Sequence, residues 1–280
     1  MSLVRVDSPL PHVARITLDR PGRLNAMSID LVIELHDALE RVAADNRAYV
    51  CVLTGEGRAF SSGLDLEDYG VVPNIDGLTV GRIAQRSMRT YSRVVLALRR
   101  MPQPVIAAVN GPAFGGGMCL ALAAELRFAA ESAVFNATGI VNGLTSTEMA
   151  ASWLLPRLVG AAHAHDLLLT GRRVDAEEAL RMGLVSRVLP DDALMDAVLE
   201  AAARMCEFSP YGLAMTKDVL WANLETASLE SAIEIEDRNQ LMLGFTENLP
   251  EAIRAFREKR RPVYTDEPRR DLFGPSPGEG

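Results

Sequence analysis

Gln103-Pro104-Val105-Ile106-Ala107-Ala108-Val109-Asn110-Gly111-Pro112-Ala113-Phe114-Gly115-Gly116-Gly117 is the stretch on which the fold turns. Val105 to Val109 is an unbroken apolar run, which suits a strand covered on both faces, as in a parallel sheet. Asn110-Gly111-Pro112 makes a turn, and the glycines lead into an apolar helix from Met118 to Glu125. Backbone N–H groups at the start of such a helix have no intrahelical acceptor, so they can hold a developing oxyanion. A triple glycine can equally be a tight turn that lets a helix pack close to a strand. A dinucleotide fingerprint fits less well, because the spacing is not G-x-G-x-x-G and the loop is not in a first βα turn.

The same order of elements occurs upstream. Tyr49 to Thr54 reads as a second buried strand, followed by the loop Gly55-Glu56-Gly57-Arg58-Ala59-Phe60-Ser61-Ser62-Gly63, an irregular segment, and helical spacing from about Val80 to Arg100 that Pro102 and Pro104 stop. Before it, Val13 to Asp19 alternates as a strand that Pro21-Gly22 closes with a turn, and a hairpin is expected here. Ser28 then caps a helix carrying Leu31, Leu35, Ala38, Leu39 and Val42. Downstream, Arg127–Ala130 and Ala133–Asn136 are short strands, and Ser146 or Thr147 is expected to cap a helix through Leu154. Further helices start at Ala161 and Ala176, and Val185–Leu189 is a last strand. From Asp191 the chain is helical to about Arg260, with breaks at Ser209-Pro210 and Asn248-Leu249-Pro250. The expected organisation is an α/β core over 1–190, a helical region over 191–262 and a loose tail over 263–280.

The 280 residues are 48% hydrophobic, enough for a full core, and the net charge of −8 argues against a nucleic-acid partner. The apolar runs fall short of a membrane span and Met1 to Pro11 lacks the apolar region of a signal peptide, so a cytoplasmic protein is expected. Cys51, Cys119 and Cys206 show no C-x-x-C spacing, and His163-x-His165 has no third ligand, so no metal is expected.

Two glycine-rich loops that each follow a buried strand are a more specific signal than either alone. Arg58-Ala59-Phe60-Ser61-Ser62-Gly63-Leu64-Asp65-Leu66 is similar to the first active-site loop of the enoyl-CoA hydratase/isomerase (crotonase) family, and Gln103 to Gly117 is similar to the second. Pro21-Gly22-Arg23-Leu24-Asn25-Ala26-Met27 resembles the family's CoA-side segment. Leu169-Thr170-Gly171-Arg172, Ala176-Glu177-Glu178-Ala179 and Met182-Gly183-Leu184-Val185 resemble later landmarks, so the likeness spans roughly residues 4 to 262. The resemblance implies an α/β crotonase spiral of ββα units with C-terminal helices, a homotrimer or dimer of trimers, and an acyl-CoA thioester as substrate with no permanently bound cofactor. It places the thioester carbonyl on the N–H groups of Leu64 and Gly116. It places Arg23, Asn25, Ala26, Ser62, Leu64, Asp65, Leu66 and Gly116 along the CoA path, with Phe256 and Lys259 at the nucleotide end. A solvated helix end is the alternative for Lys259, and holding backbone geometry is the expected task of Asp65.

The sequence departs from the family at its chemistry. Family hydratases carry one glutamate two residues after the third glycine and another about twenty positions later, as acid and base around a water. Here those positions are Cys119 and Gly139. Glu148 is the candidate replacement, and its alternative is a capping carboxylate at a helix start. Cys119 reads as core rather than nucleophile. Three readings stay open at this point: an acyl-CoA enzyme with one acid/base carboxylate, a non-catalytic acyl-CoA-binding protein, and a purely structural oligomer.

Overall fold

The alternation of side chains along two strands explains why the core is two-sided. In β3 (Val50–Gly55) and β4 (Val105–Val109), Cys51, Leu53, Val105, Ala107 and Val109 face one buried cluster, while Val50, Val52, Ile106 and Ala108 face another. A strand with no polar face must be covered twice, and helices supply both covers. The computed structural model describes residues 2–266. Residues 267–280, most of the tail expected to be loose, lie outside the described residues.

The chain opens with β1 (Val4–Leu10) and β2 (Val13–Leu18), an antiparallel hairpin whose turn lies between Leu10 and Val13, while the expected turn at Pro21-Gly22 is a short 3-10 helix that leads away from the hairpin. Helix α1 (Ile29–Ala43) is capped by Ser28, whose hydroxyl accepts from Leu31 N–H at 3.3 Å. After β3 comes α2 (Val80–Arg100), then β4, the short β5 (Ala113–Phe114), α3 (Gly116–Ala123), β6 (Leu126–Ala130) and β7 (Val134–Asn136). Next are α4 (Ala151–Thr170), β8 (Val174–Asp175), α5 (Ala176–Arg181) and β9 (Arg187–Leu189). The C-terminal helices are α6 (Leu194–Met205), α7 (Pro210–Asn223), α8 (Leu229–Gly244) and α9 (Asn248–Glu258). The main sheet has the order β1-β2-β3-β4-β6-β9 and is parallel beyond the first hairpin, and β5, β7 and β8 form a second, smaller sheet.

Helices α1 and α2 pack on one face of the main sheet, through Leu31, Leu35, Leu39, Val94 and Leu98. Leu194, Val198 and Ala202 of α6 close the opposite face over Val52, Ile106 and Phe128. Burying one such aliphatic side chain contributes about 1.5–3 kcal/mol, so this covering fixes the positions of the strand ends. Among the described residues no helix is long and apolar enough to cross a membrane.

Two expectations need correction. Neither Ser146 nor Thr147 caps a helix: Ser146 Oγ accepts from Ile140 N–H and donates to the Ala137 carbonyl, which closes the 139–146 loop, and α4 starts only at Ala151. The C-terminal helical run also has a further break between Asn223 and Leu229. The expected helix start at Ala161 corresponds to an interruption at Gly160, whose φ of 78° breaks α4 internally.

Candidate active site

The two glycine loops meet edge to edge at the end of the main sheet. Ser61 bridges to Ala113, Phe114 N–H donates to the Ser61 carbonyl at 2.9 Å, and Met27 N–H donates to the Gly63 carbonyl at 2.7 Å. Only glycine allows this approach. A Cβ on Gly63, where φ is 85°, would lie 2.6 Å from the Phe114 carbonyl oxygen and 3.4 Å from Gly116 N, and one on Gly117 would collide with the Ser61 carbonyl. The backbone N of Leu64 is thereby brought beside that of Gly116 at the start of α3. Neither N–H has an acceptor among the described residues. Two unpaired donors converging from separate elements can hold an oxygen on which negative charge develops.

Beside these donors lies a cavity of about 560 Å³ lined by Met27, Leu64, Tyr69, Met88, Tyr91, Gly116, Gly143, Leu144, Thr145, Glu148 and Met149. Among the described residues, its walls carry no charged side chain apart from Glu148. Tyr91 is held in place by donating to the Met27 carbonyl at 3.0 Å. Leu64 also lines a shallower groove of about 330 Å³ with Arg23, Ala26, Arg58, Ser62, Asp65, Leu66 and Glu67. The structure thus joins an apolar chamber to a polar groove at the paired N–H groups, the shape an acyl group with a polar carrier requires.

Glu148 stands in the chamber wall, half-buried, with no ion-pair partner for its carboxylate among the described residues. Desolvation raises its pKa above the ordinary glutamate value. Its Oε1 would be 3.2 Å from a Cβ on Gly115, a point 2.5 Å from Thr138 Oγ1, so the carboxylate borders the glycine turn that supplies Gly116. The two residues after it, Met149 (φ 44°) and Ala150 (φ 67°), are both left-handed. Such conformations cost on the order of 1–3 kcal/mol each in residues with a Cβ, and persist only where surrounding contacts fix them.

Cys119 and Gly139 are the two positions at which the family resemblance leads one to expect glutamates. Cys119 is buried in α3, its thiol donating to the Glu148 carbonyl at 3.6 Å, and desolvation pushes the thiol pKa up, so it is neutral at pH 7 and no nucleophile. Gly139 sits under the 139–146 loop, where a Cβ would collide with the Thr145 carbonyl. This loop has no room for any side chain at Gly139.

The other residues picked from the sequence divide clearly. Arg23, Ala26, Ser62, Leu64, Asp65 and Leu66 line the groove. Asn25 lies beneath it, fully buried, its amide donating to Glu56 and Ala59 carbonyls and its oxygen accepting from Arg20 N–H. Asp65, 2% exposed, accepts from Glu67 and Asp68 N–H groups and pairs with Arg20 and Arg23. Although burial opposes ionisation, those hydrogen bonds and arginines outweigh it and hold the carboxyl well below the usual aspartate range. Phe256, 86% exposed, and Lys259, the left-handed cap of α9, line neither the chamber nor the groove. Sequence reasoning missed Met27, Tyr69, Met88, Tyr91 and Met149 as chamber walls. Tyr69 falls in the irregular segment after the first loop, and Met27 is the last residue of the CoA-side segment.

The model of the enoyl-CoA hydratase/isomerase family matches residues 11–267. This chain belongs to that family. It is 52% identical over 268 residues to a protein named probable enoyl-CoA hydratase of Mycobacterium tuberculosis, covering 95% of this chain and 94% of that one. It is 34% identical over 260 residues to the 1,2-epoxyphenylacetyl-CoA isomerase of Escherichia coli, covering 91% and 97%. Among solved structures, a probable enoyl-CoA hydratase/isomerase from Mycobacterium abscessus superposes with a TM-score of 0.91 at 45% identity, over 95% of this chain and all of that one. A monofunctional enoyl-CoA isomerase from Mycobacterium smegmatis matches at 0.71 and 45% identity, over 83% and 99%. The fold of this enoyl-CoA hydratase/isomerase family member is therefore the crotonase spiral that the two loops implied.

Proposed function

We propose that this chain is an enoyl-CoA isomerase-type enzyme that works with a single acid/base carboxylate. The acyl chain occupies the apolar chamber, the CoA arm follows the groove of Arg23, Ala26, Ser62 and Leu66, and the thioester oxygen accepts from Leu64 and Gly116 N–H. Glu148, as carboxylate, takes a proton from C2 of a 3-enoyl thioester. The electron pair moves through the conjugated system onto the thioester oxygen, where the two N–H groups stabilise it. Glu148, now a carboxylic acid, returns the proton to C4, the double bond comes to rest between C2 and C3, and the thioester carbonyl reforms. No water enters the balance, so no second carboxylate is needed to activate one.

The observation that carries this reading is the carboxylate of Glu148 bordering the oxyanion donors in the chamber, with no ion partner and no other charged group there among the described residues. A base whose pKa is raised towards the working pH both accepts and returns a proton efficiently. The occupants of the two usual glutamate positions, Cys119 and Gly139, also favour a second reading, a protein that binds acyl-CoA and does no chemistry. Glu148→Gln separates the two. With a 3-enoyl-CoA substrate, the wild-type protein is expected to turn over and the variant to lose about 10²–10⁴-fold in kcat, with acyl-CoA affinity unchanged within a few-fold. A wild-type protein that binds acyl-CoA without converting any 2- or 3-enoyl thioester supports the second reading; a variant that keeps its rate removes Glu148 from the mechanism.

A further inference from the structure

The turn that presents Glu148 has no local reason to form. Met149 and Ala150 are consecutive left-handed residues, neither of a type that favours that region, and α4 begins after them with no side chain capping its N-terminus. Something outside the segment must hold it. Two contacts do so. Met149 is buried with its sulfur packed on the glycine turn, where a Cβ on Gly116 would lie 3.2 Å from it. The Glu148 carbonyl accepts from Ala151 N–H at 2.8 Å and from the Cys119 thiol at 3.6 Å.

We propose that Cys119 is a positioning residue for Glu148: its thiol grips the Glu148 carbonyl and so fixes the left-handed turn that aims the carboxylate at the oxyanion donors. The proposal rests on the reading of Glu148 as the acid/base. Cys119 lies on α3, the helix whose first N–H, at Gly116, is one of those donors. One rigid element therefore sets both the oxygen site and the proton carrier. Where the family hydratases place a carboxylate, this chain has a neutral donor that directs a carboxylate from another loop. Burial keeps the thiol protonated and so able to donate. The titratable groups facing Glu148 are Tyr69, Tyr91 on α2 and Cys119 itself, and none is a cation.

The test uses the full chain with Cys119→Ala and Cys119→Ser, reading kcat and KM against pH on a 3-enoyl-CoA. In parallel, the Glu148 carboxyl is titrated by ¹³C NMR and assigned by its loss in Glu148→Gln. Removing the donor lets the turn relax and the carboxylate swing towards water. Cys119→Ala is then expected to lower kcat about 10- to 100-fold, the scale of a catalytic group displaced by about 1 Å, with KM nearly unchanged. The acid limb of the kcat profile and the Glu148 titration should both move to lower pH. Serine keeps a donor but on a shorter bond, so it should recover part of the loss. A Cys119→Ala protein that melts earlier yet keeps its kcat profile and its Glu148 titration would reduce Cys119 to packing. A wild-type protein without turnover would defeat the functional reading alone, since the carboxyl titration still decides whether the thiol positions Glu148.

Discussion

Asp65 and Glu148 flank the same pair of N–H groups and are opposites in every other respect. Asp65 follows Leu64 directly, is almost fully buried, and is held by two arginines and two backbone N–H groups. Glu148 borders the glycine turn from the chamber wall and has no ionic partner among the described residues. The first carboxyl is held ionised well below its usual range; the second is raised by desolvation. A carboxylate held ionised by arginines and N–H groups can anchor a loop, whereas one whose protonated form desolvation favours is better suited to carrying a proton. On the proposed function the difference gives Asp65 a structural role and Glu148 the chemical one, and substitutions at each can break or sharpen that division.

The largest effect belongs to Glu148→Gln, whose loss of turnover with retained binding is the signature of a proton carrier. Asp65→Asn comes next and acts on stability. It leaves Arg20 and Arg23 without their buried partner, and breaking such a pair costs about 3–5 kcal/mol, with the lower end expected because Arg23 is partly exposed. Its folded pKa is depressed below the unfolded value of about 3.9, so the contribution is present above that value and is lost as pH falls through the folded pKa. Thermal melts should therefore show the gap between wild type and Asp65→Asn full at pH 7 and closing in acid. A gap independent of pH would deny the ionic role. The smallest effect is the reverse one at Glu148. Its folded pKa is raised above the unfolded value of about 4.3, so its contribution is present below that value and is lost as pH rises through the folded pKa. Glu148→Gln should thus melt slightly higher than wild type at pH 7, with the advantage vanishing below about pH 4. A variant that melts lower at neutral pH would mean that the carboxylate has a structural partner.

Elements set by local chemistry were legible in the sequence. The bounds of α2 follow from its amphipathic spacing and the prolines behind it, and β3 and β4 from uninterrupted apolar runs. The meeting of the two glycine loops was legible because glycine is required where two backbones touch. The 139–150 loop was not. Ser146 looks like a cap but its hydroxyl bonds across its own loop, and a left-handed Met149-Ala150 leaves no trace in composition because tertiary contacts impose it. The exclusion of a side chain at Gly139 depends on the Thr145 carbonyl, six positions on, which only the folded chain brings close. The chamber walls at Tyr69, Met88 and Tyr91 come from a segment and a helix face that carry no motif.

The most direct test of the single-carboxylate account is a steady-state comparison of the purified protein on crotonyl-CoA and on a 3-enoyl-CoA, following the conjugated thioester in each. The account predicts that the conjugated 2-enoyl product appears from the 3-enoyl substrate while crotonyl-CoA is not hydrated. Rapid loss of the crotonyl-CoA conjugation, with no conversion of the 3-enoyl thioester, would contradict it.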